Sequence, residues 1–136
     1  MQQLSVSAQL LYGIVAAAVL VYLPFLVVAY GRVKVGYDIA APRALFDKLP
    51  AYAQRATWAH QNSFESFSLF AAAALMAVMT QVNTPLATGA VVAYLVARLL
   101  YSILYILNIP ILRSLMFGIG SVGIATLMIL SLRQIS

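Results

Sequence analysis

Four long segments of this sequence, about Ala8–Tyr30, Ala51–Gln81, Leu86–Leu107 and Ile111–Leu132, are dominated by apolar residues and carry very few charges. Each is long enough to cross a hydrocarbon core about 30 Å thick, which takes roughly 20 helical residues. Of the 136 residues, 64% are hydrophobic and only 8% charged, whereas a soluble domain carries roughly 25% charged residues. A soluble chain this short has too little interior to hide so much apolar surface. In lipid the backbone must satisfy its own hydrogen bonds, which leaves helices or closed barrels. Unbroken runs, rather than short alternating segments, select helices. The expected fold is an all-α membrane protein, a four-transmembrane-helix bundle formed by one domain over residues 1–136.

The first run is too long for a signal-peptide core, follows no basic residue and ends in bulky side chains, so it reads as a retained helix. Pro24 inside it predicts a kink. Residues 31–50 form the one long connection, broken by Gly31, Gly36, Pro42 and Pro50. The later connections, Gln81 to Pro85 and Asn108 to Pro110, are short. Arg32, Lys34, Arg43, Lys48 and Arg55 cluster on or beside the long connection, and Arg113 falls on the same side, against Arg133 alone on the other. This bias predicts a cytoplasmic first and third connection and two extracytoplasmic termini. The net charge of +5 is spread without a basic run, which points to the membrane surface and not to nucleic acid. With no cysteine, disulfides, thiolate metal sites and cysteine nucleophiles are excluded.

Ionisable residues inside membrane helices are costly and face a partner or a cavity. Arg98 lies nine residues before Leu107, roughly 13 Å along a helix, too deep for a simple anchor. Glu65 lies ten residues past Arg55, with His60 between them. Asn62 and Glu65 are spaced for one helical face, and Tyr94, Arg98, Tyr101 and Tyr105 form a stripe at intervals of four, three and four. The stripe sets a guanidinium among phenols, and together these groups suit a small, anionic, amide-rich ligand. Glu65 and Arg98 are expected to approach each other across the second and third helices, as an ion pair or as two walls of one site. His60 lacks the further ligands that a catalytic zinc takes, so no metal is expected. Tyr12, Tyr22 and Tyr30 read as an interfacial aromatic belt.

Three stretches resemble one family. Ala59-His60-Gln61-Asn62-Ser63-Phe64-Glu65 resembles the Arg-Ala-His/Gln-x-Asn-x-x-Glu signature of MAPEG proteins, the membrane-associated proteins of eicosanoid and glutathione metabolism. Ala97-Arg98-Leu99-Leu100-Tyr101-Ser102-Ile103-Leu104-Tyr105 resembles the family's third-helix stretch, and Pro110-Ile111-Leu112-Arg113-Ser114 the loop after it. The resemblance implies a homotrimer of four-helix subunits, in a bacterial-type member of the inner membrane, with glutathione as co-substrate bound between neighbours. It implies glutathione binding by Arg55, His60, Asn62, Glu65, Arg98, Tyr101, Tyr105 and Arg32. It also implies a catalytic role for Arg113, stabilising the thiolate with help from Tyr101 or Tyr105. The second substrate is then a hydrophobic electrophile that arrives from the lipid. Trp58 stands where the signature has arginine, and Gln61 is neutral where some members carry another. These departures favour an alternative, a non-catalytic trimeric homologue that binds lipid or a small ligand. A small transporter or channel subunit fits less well, because the polar cluster lies toward one side of the membrane.

Overall fold

A computed structural model describes residues 4–136. Its long helices are α1 (Val6–Lys34), α2 (Ala51–Met79), α3 (Pro85–Ile106) and α4 (Pro110–Ile135). All four are long and apolar enough to cross a membrane, and they are apolar around most of their circumference, as lipid or a neighbouring helix requires. Compared with the sequence expectation, α1 continues past Tyr30 to Lys34 and α4 past Leu132 to Ile135. The extra turns carry Arg32, Lys34 and Arg133, whose long side chains reach the interface while their backbone stays helical.

The bundle runs up and down. Val21 of α1 meets His60 of α2, Ser66 meets Tyr94 of α3, and Gly123 of α4 packs on Ala90. Consecutive helices are therefore antiparallel, and α1 and α3 run parallel, joined by Thr88 Oγ1 donating to Gln9 Oε1 at 2.6 Å. The first and third connections share one end of the bundle, and the second connection and the ends of α1 and α4 share the other.

Small residues let the backbones approach, as they do where membrane helices pack. The buried face of α2 is Ala53, Ala56, Ala59, Ser63, Phe70, Ala73, Ala74 and Ala77. A methyl group at Gly31 would come within 2.6 Å of Ala53 Cβ, so only glycine allows this crossing of α1 and α2. Phe70 and Tyr94 stack face to face, centroids 3.9 Å apart, at the centre of the core.

The two short connections use the same device. Gln81 and Asn108 adopt positive φ, 57° and 61°. The next amides close back on the helices: Val82 N donates to Ala77 O and Ile109 N to Leu104 O, both at 2.9 Å. Pro85 and Pro110 then open α3 and α4 at positions where no backbone N–H is needed. The long connection is more ordered than its breakers suggest. Pro42–Lys48 form a 3₁₀ helix that buries Leu45. Leu49 after it packs with Val28, Ala53 and Ala56. This helix rests over the ends of α1 and α2 and roofs a cleft between them.

Candidate functional site

The expected site residues fall into two groups, one packed among α2, α3 and α4 and one lining a cleft between α1 and α2. In the first, Arg98 is only 3% exposed. Its Nη2 donates to Asn62 Oδ1 and to Ser63 Oγ, both at 3.0 Å. The guanidinium lies 4.1 Å from the centroid of Tyr101, whose ring meets Tyr105 edge-on at 5.6 Å. Arg113, in the first turn of α4, sits 4.4 Å over the Tyr105 ring. Two guanidinium groups thus bracket a pair of phenols along a ladder from the core toward the end of the bundle. Trp58 stands beside the ladder, its ring 6.5 Å from Tyr105 and tilted at 54° against Phe46 at 5.7 Å.

The expected approach of Glu65 to Arg98 is corrected. Arg98 bonds only neutral groups, Asn62 and Ser63, while Glu65 is exposed and lines the cleft on the α1 side. Helical geometry gives the reason. At about 100° per residue Glu65 lies about 60° around the axis from Asn62 and about 160° from Ser63, so it stands farthest of the three from the centre of the face that meets Arg98. Ser63 takes the position next to Arg98 that was expected of Glu65. Its signal in the sequence was only a small polar residue inside the signature. Arg98 Nε and Ser102 Oγ, one turn apart, are both buried without a partner.

The second group lines a cleft of about 710 Å³ between α1, the 3₁₀ helix and α2. Its walls are Tyr22, Phe25, Phe46 and Phe64, and its polar groups are Arg32, Arg43, His60, Gln61 and Glu65. His60 donates from Nδ1 to Val21 O at 2.8 Å, three residues before Pro24 in α1, and packs against Tyr22 and Phe25. Arg32 lies over Phe25 at 5.7 Å, with its Nε buried and unpartnered. Arg43 was not anticipated from the sequence, because only the 3₁₀ helix carries it back to the bundle. Tyr22, assigned to an aromatic belt, is a wall of this cleft. Arg55 joins neither group: its Nε donates to Ile106 O at 2.9 Å and so ties α2 to the end of α3.

A third feature is an apolar groove of about 600 Å³ along α3 and α4, lined by Leu86, Gly89, Ala93, Leu115, Gly118, Ile119 and Val122 among others. Ser114, next to Arg113, also lines it. The arrangement offers a chemical division: paired cations and hydroxyls for an anion, a mixed-charge cleft for a dipolar ligand, and an apolar lane for a lipid-soluble molecule.

No curated protein and no solved structure gives a significant match to the chain. The family model described as MAPEG family matches residues 9–133, nearly the whole length, and the chain belongs to that family of integral, multi-pass membrane proteins.

Proposed function

We propose that the protein is a membrane-bound glutathione-dependent transferase or peroxidase acting on hydrophobic electrophiles, assembled as a homotrimer. The observation that carries this reading is that, among the described residues, Arg98 bonds neutral Asn62 and Ser63 and no carboxylate. A guanidinium buried among neutral groups in a membrane helix needs a counter-ion, and Arg113 adds a second cation on the same ladder. Across α2, Glu65 is a carboxylate exposed deep along an apolar helix. A ligand with carboxylates, a thiolate and an ammonium supplies each missing charge, and glutathione is such a molecule. A site that joins the ladder of one subunit to the cleft of the next brings all these charges onto one ligand, an arrangement that a cyclic homotrimer provides.

In the proposed reaction Arg113 lowers the thiol pKa by placing positive charge beside sulfur, and Tyr101 or Tyr105 donates to the same atom. Asn62, Glu65 and Arg98 bind the polar backbone, with Arg32 and His60 contributing from the cleft. The thiol proton passes to water. The thiolate attacks the electrophilic carbon, a C–S bond forms, and the leaving group departs with its bonding pair. The apolar groove that starts at Ser114 brings the electrophile to this point from lipid. With a hydroperoxide the thiolate takes the terminal oxygen, releasing an alcohol, and a second glutathione completes the reduction as disulfide and water.

The second reading, a non-catalytic trimeric homologue that binds lipid or a small ligand, is favoured by one feature. The Phe46–Trp58–Tyr105 ring cluster occupies the position where the family signature would put a guanidinium. Titrating glutathione into the purified protein while recording ultraviolet thiolate absorbance separates the two. Wild type is expected to give a thiolate signal, and Arg113→Ala to bind glutathione without it. Absence of binding to wild type sinks the enzymatic reading. Equal signals in both keep the enzyme and move thiol activation to Tyr101, Tyr105 or Arg32.

A further inference from the structure

We propose that Arg43, on the 3₁₀ helix of the first connection, is a specificity-determining residue that holds the glycine carboxylate of glutathione; this rests on the glutathione reading above. Arg43 and Arg32 come from different elements and line the same cleft as Glu65. The cleft is polarised. Gly31 packs on Ala53 and Val21 meets His60, which fixes the register of α1 against α2. Arg32 therefore lies near the level of Ala53, and Glu65 twelve residues farther along α2. That separation is about 18 Å between backbones, shortened by arginine side chains that reach inward. An extended tripeptide spans about 11 Å, and the γ-linkage of glutathione lengthens it. A carboxylate at the arginine end and an ammonium at Glu65 match this polarity.

Two further observations single out Arg43. Trp58 leaves one carboxylate of glutathione without the guanidinium that the family signature provides, and Arg55, tied through Nε to Ile106 O, does not line the cleft. Arg43 is the additional guanidinium that the fold brings to the cleft, opposite Arg32. A lipid phosphate would satisfy both arginines, but it would leave Gln61 and Glu65 facing an acyl chain, which costs the burial of unpaired polar groups. An amide-rich peptide pairs with them instead.

The test is calorimetric titration of the purified full-length protein with glutathione and with its glycine monoethyl ester, which lacks that carboxylate. Wild type, Arg43→Gln and Lys48→Gln are compared, Lys48 being a basic residue of the same 3₁₀ helix that does not line the cleft. Unfolding temperatures establish that each variant is folded. Wild type is expected to bind the ester about tenfold more weakly than glutathione, the loss of one charge-assisted contact. Arg43→Gln should lose about the same factor for glutathione and none for the ester, and Lys48→Gln should behave as wild type. If Arg43→Gln weakens both ligands equally, or neither, the assignment is overturned while the glutathione site stands. If wild type binds no glutathione, the site reading fails and the assignment with it.

Discussion

Arg98→Met tests the central claim, because the structure gives its two effects opposite signs. Methionine matches the unbranched stem of arginine and removes the charge. What the fold loses is limited: two hydrogen bonds, to Asn62 and Ser63, and one cation–π contact with Tyr101. Interhelical hydrogen bonds in membranes average about 0.6 kcal/mol each, and a desolvated cation–π contact adds about 2 kcal/mol. What the fold gains is relief from desolvating an arginine with no carboxylate partner, several kcal/mol per buried ion. The variant is therefore expected to be at least as stable as wild type, by a net gain of about 1 kcal/mol. Ligand binding should move the other way, losing about tenfold or more with the charged contact. The assay is thermal unfolding in detergent by intrinsic fluorescence, paired with glutathione titration on the same samples. A variant that unfolds several degrees lower and binds glutathione as well as wild type would show that Arg98 is structural.

Other expectations follow from the same geometry. A periplasmic reporter fused after Ser136 should be active and one fused at Asp38 inactive, since basic residues crowd the first and third connections; a cytoplasmic C-terminus refutes this orientation. Gly31→Val should destabilise by about 1–3 kcal/mol, because a methyl there meets Ala53 Cβ at 2.6 Å, whereas Gly89→Ala meets nothing within 4 Å and should be neutral by the same unfolding assay. Arg113→Ala and Glu65→Gln should each be inactive alone yet recover about a quarter of wild-type conjugation when co-expressed equally, since one site in four pairs an intact ladder with an intact cleft. No recovery in verified mixed trimers would place the whole site within one subunit.

Much of the fold was legible in the sequence because lipid leaves so few options. Four apolar runs separated by Asn, Pro and Gly breakers fix the helices within a few residues. The Tyr94–Arg98–Tyr101–Tyr105 stripe was equally readable, since helical spacing alone sets its face. The partner of Arg98 was not. Asn62, Ser63 and Glu65 all lie within one turn, and deciding which of them meets α3 requires the rotation of α2, which its many small alanines leave weakly marked in the sequence. The cleft was hidden for another reason. It depends on a connection whose prolines read as breakers but whose 3₁₀ helix folds Arg43 and Phe46 back onto the bundle, a tertiary event with no periodic signature.

On the proposed reading, the position of Arg113 suits this end of the bundle to thiolate chemistry. The residue lies in the first turn of α4, where Ile109 offers no side-chain cap and the free N–H groups form the positive end of the helix dipole. A thiolate brought there meets the guanidinium and the helix terminus together, and both lower a thiol pKa. The next residue, Ser114, already belongs to the apolar groove. The border between the stabilised anion and the lipid-fed lane is thus a single residue wide. A nucleophile held on one side and an electrophile delivered along the other need travel little to reach attack distance, which is the larger part of what orientation contributes to such a reaction.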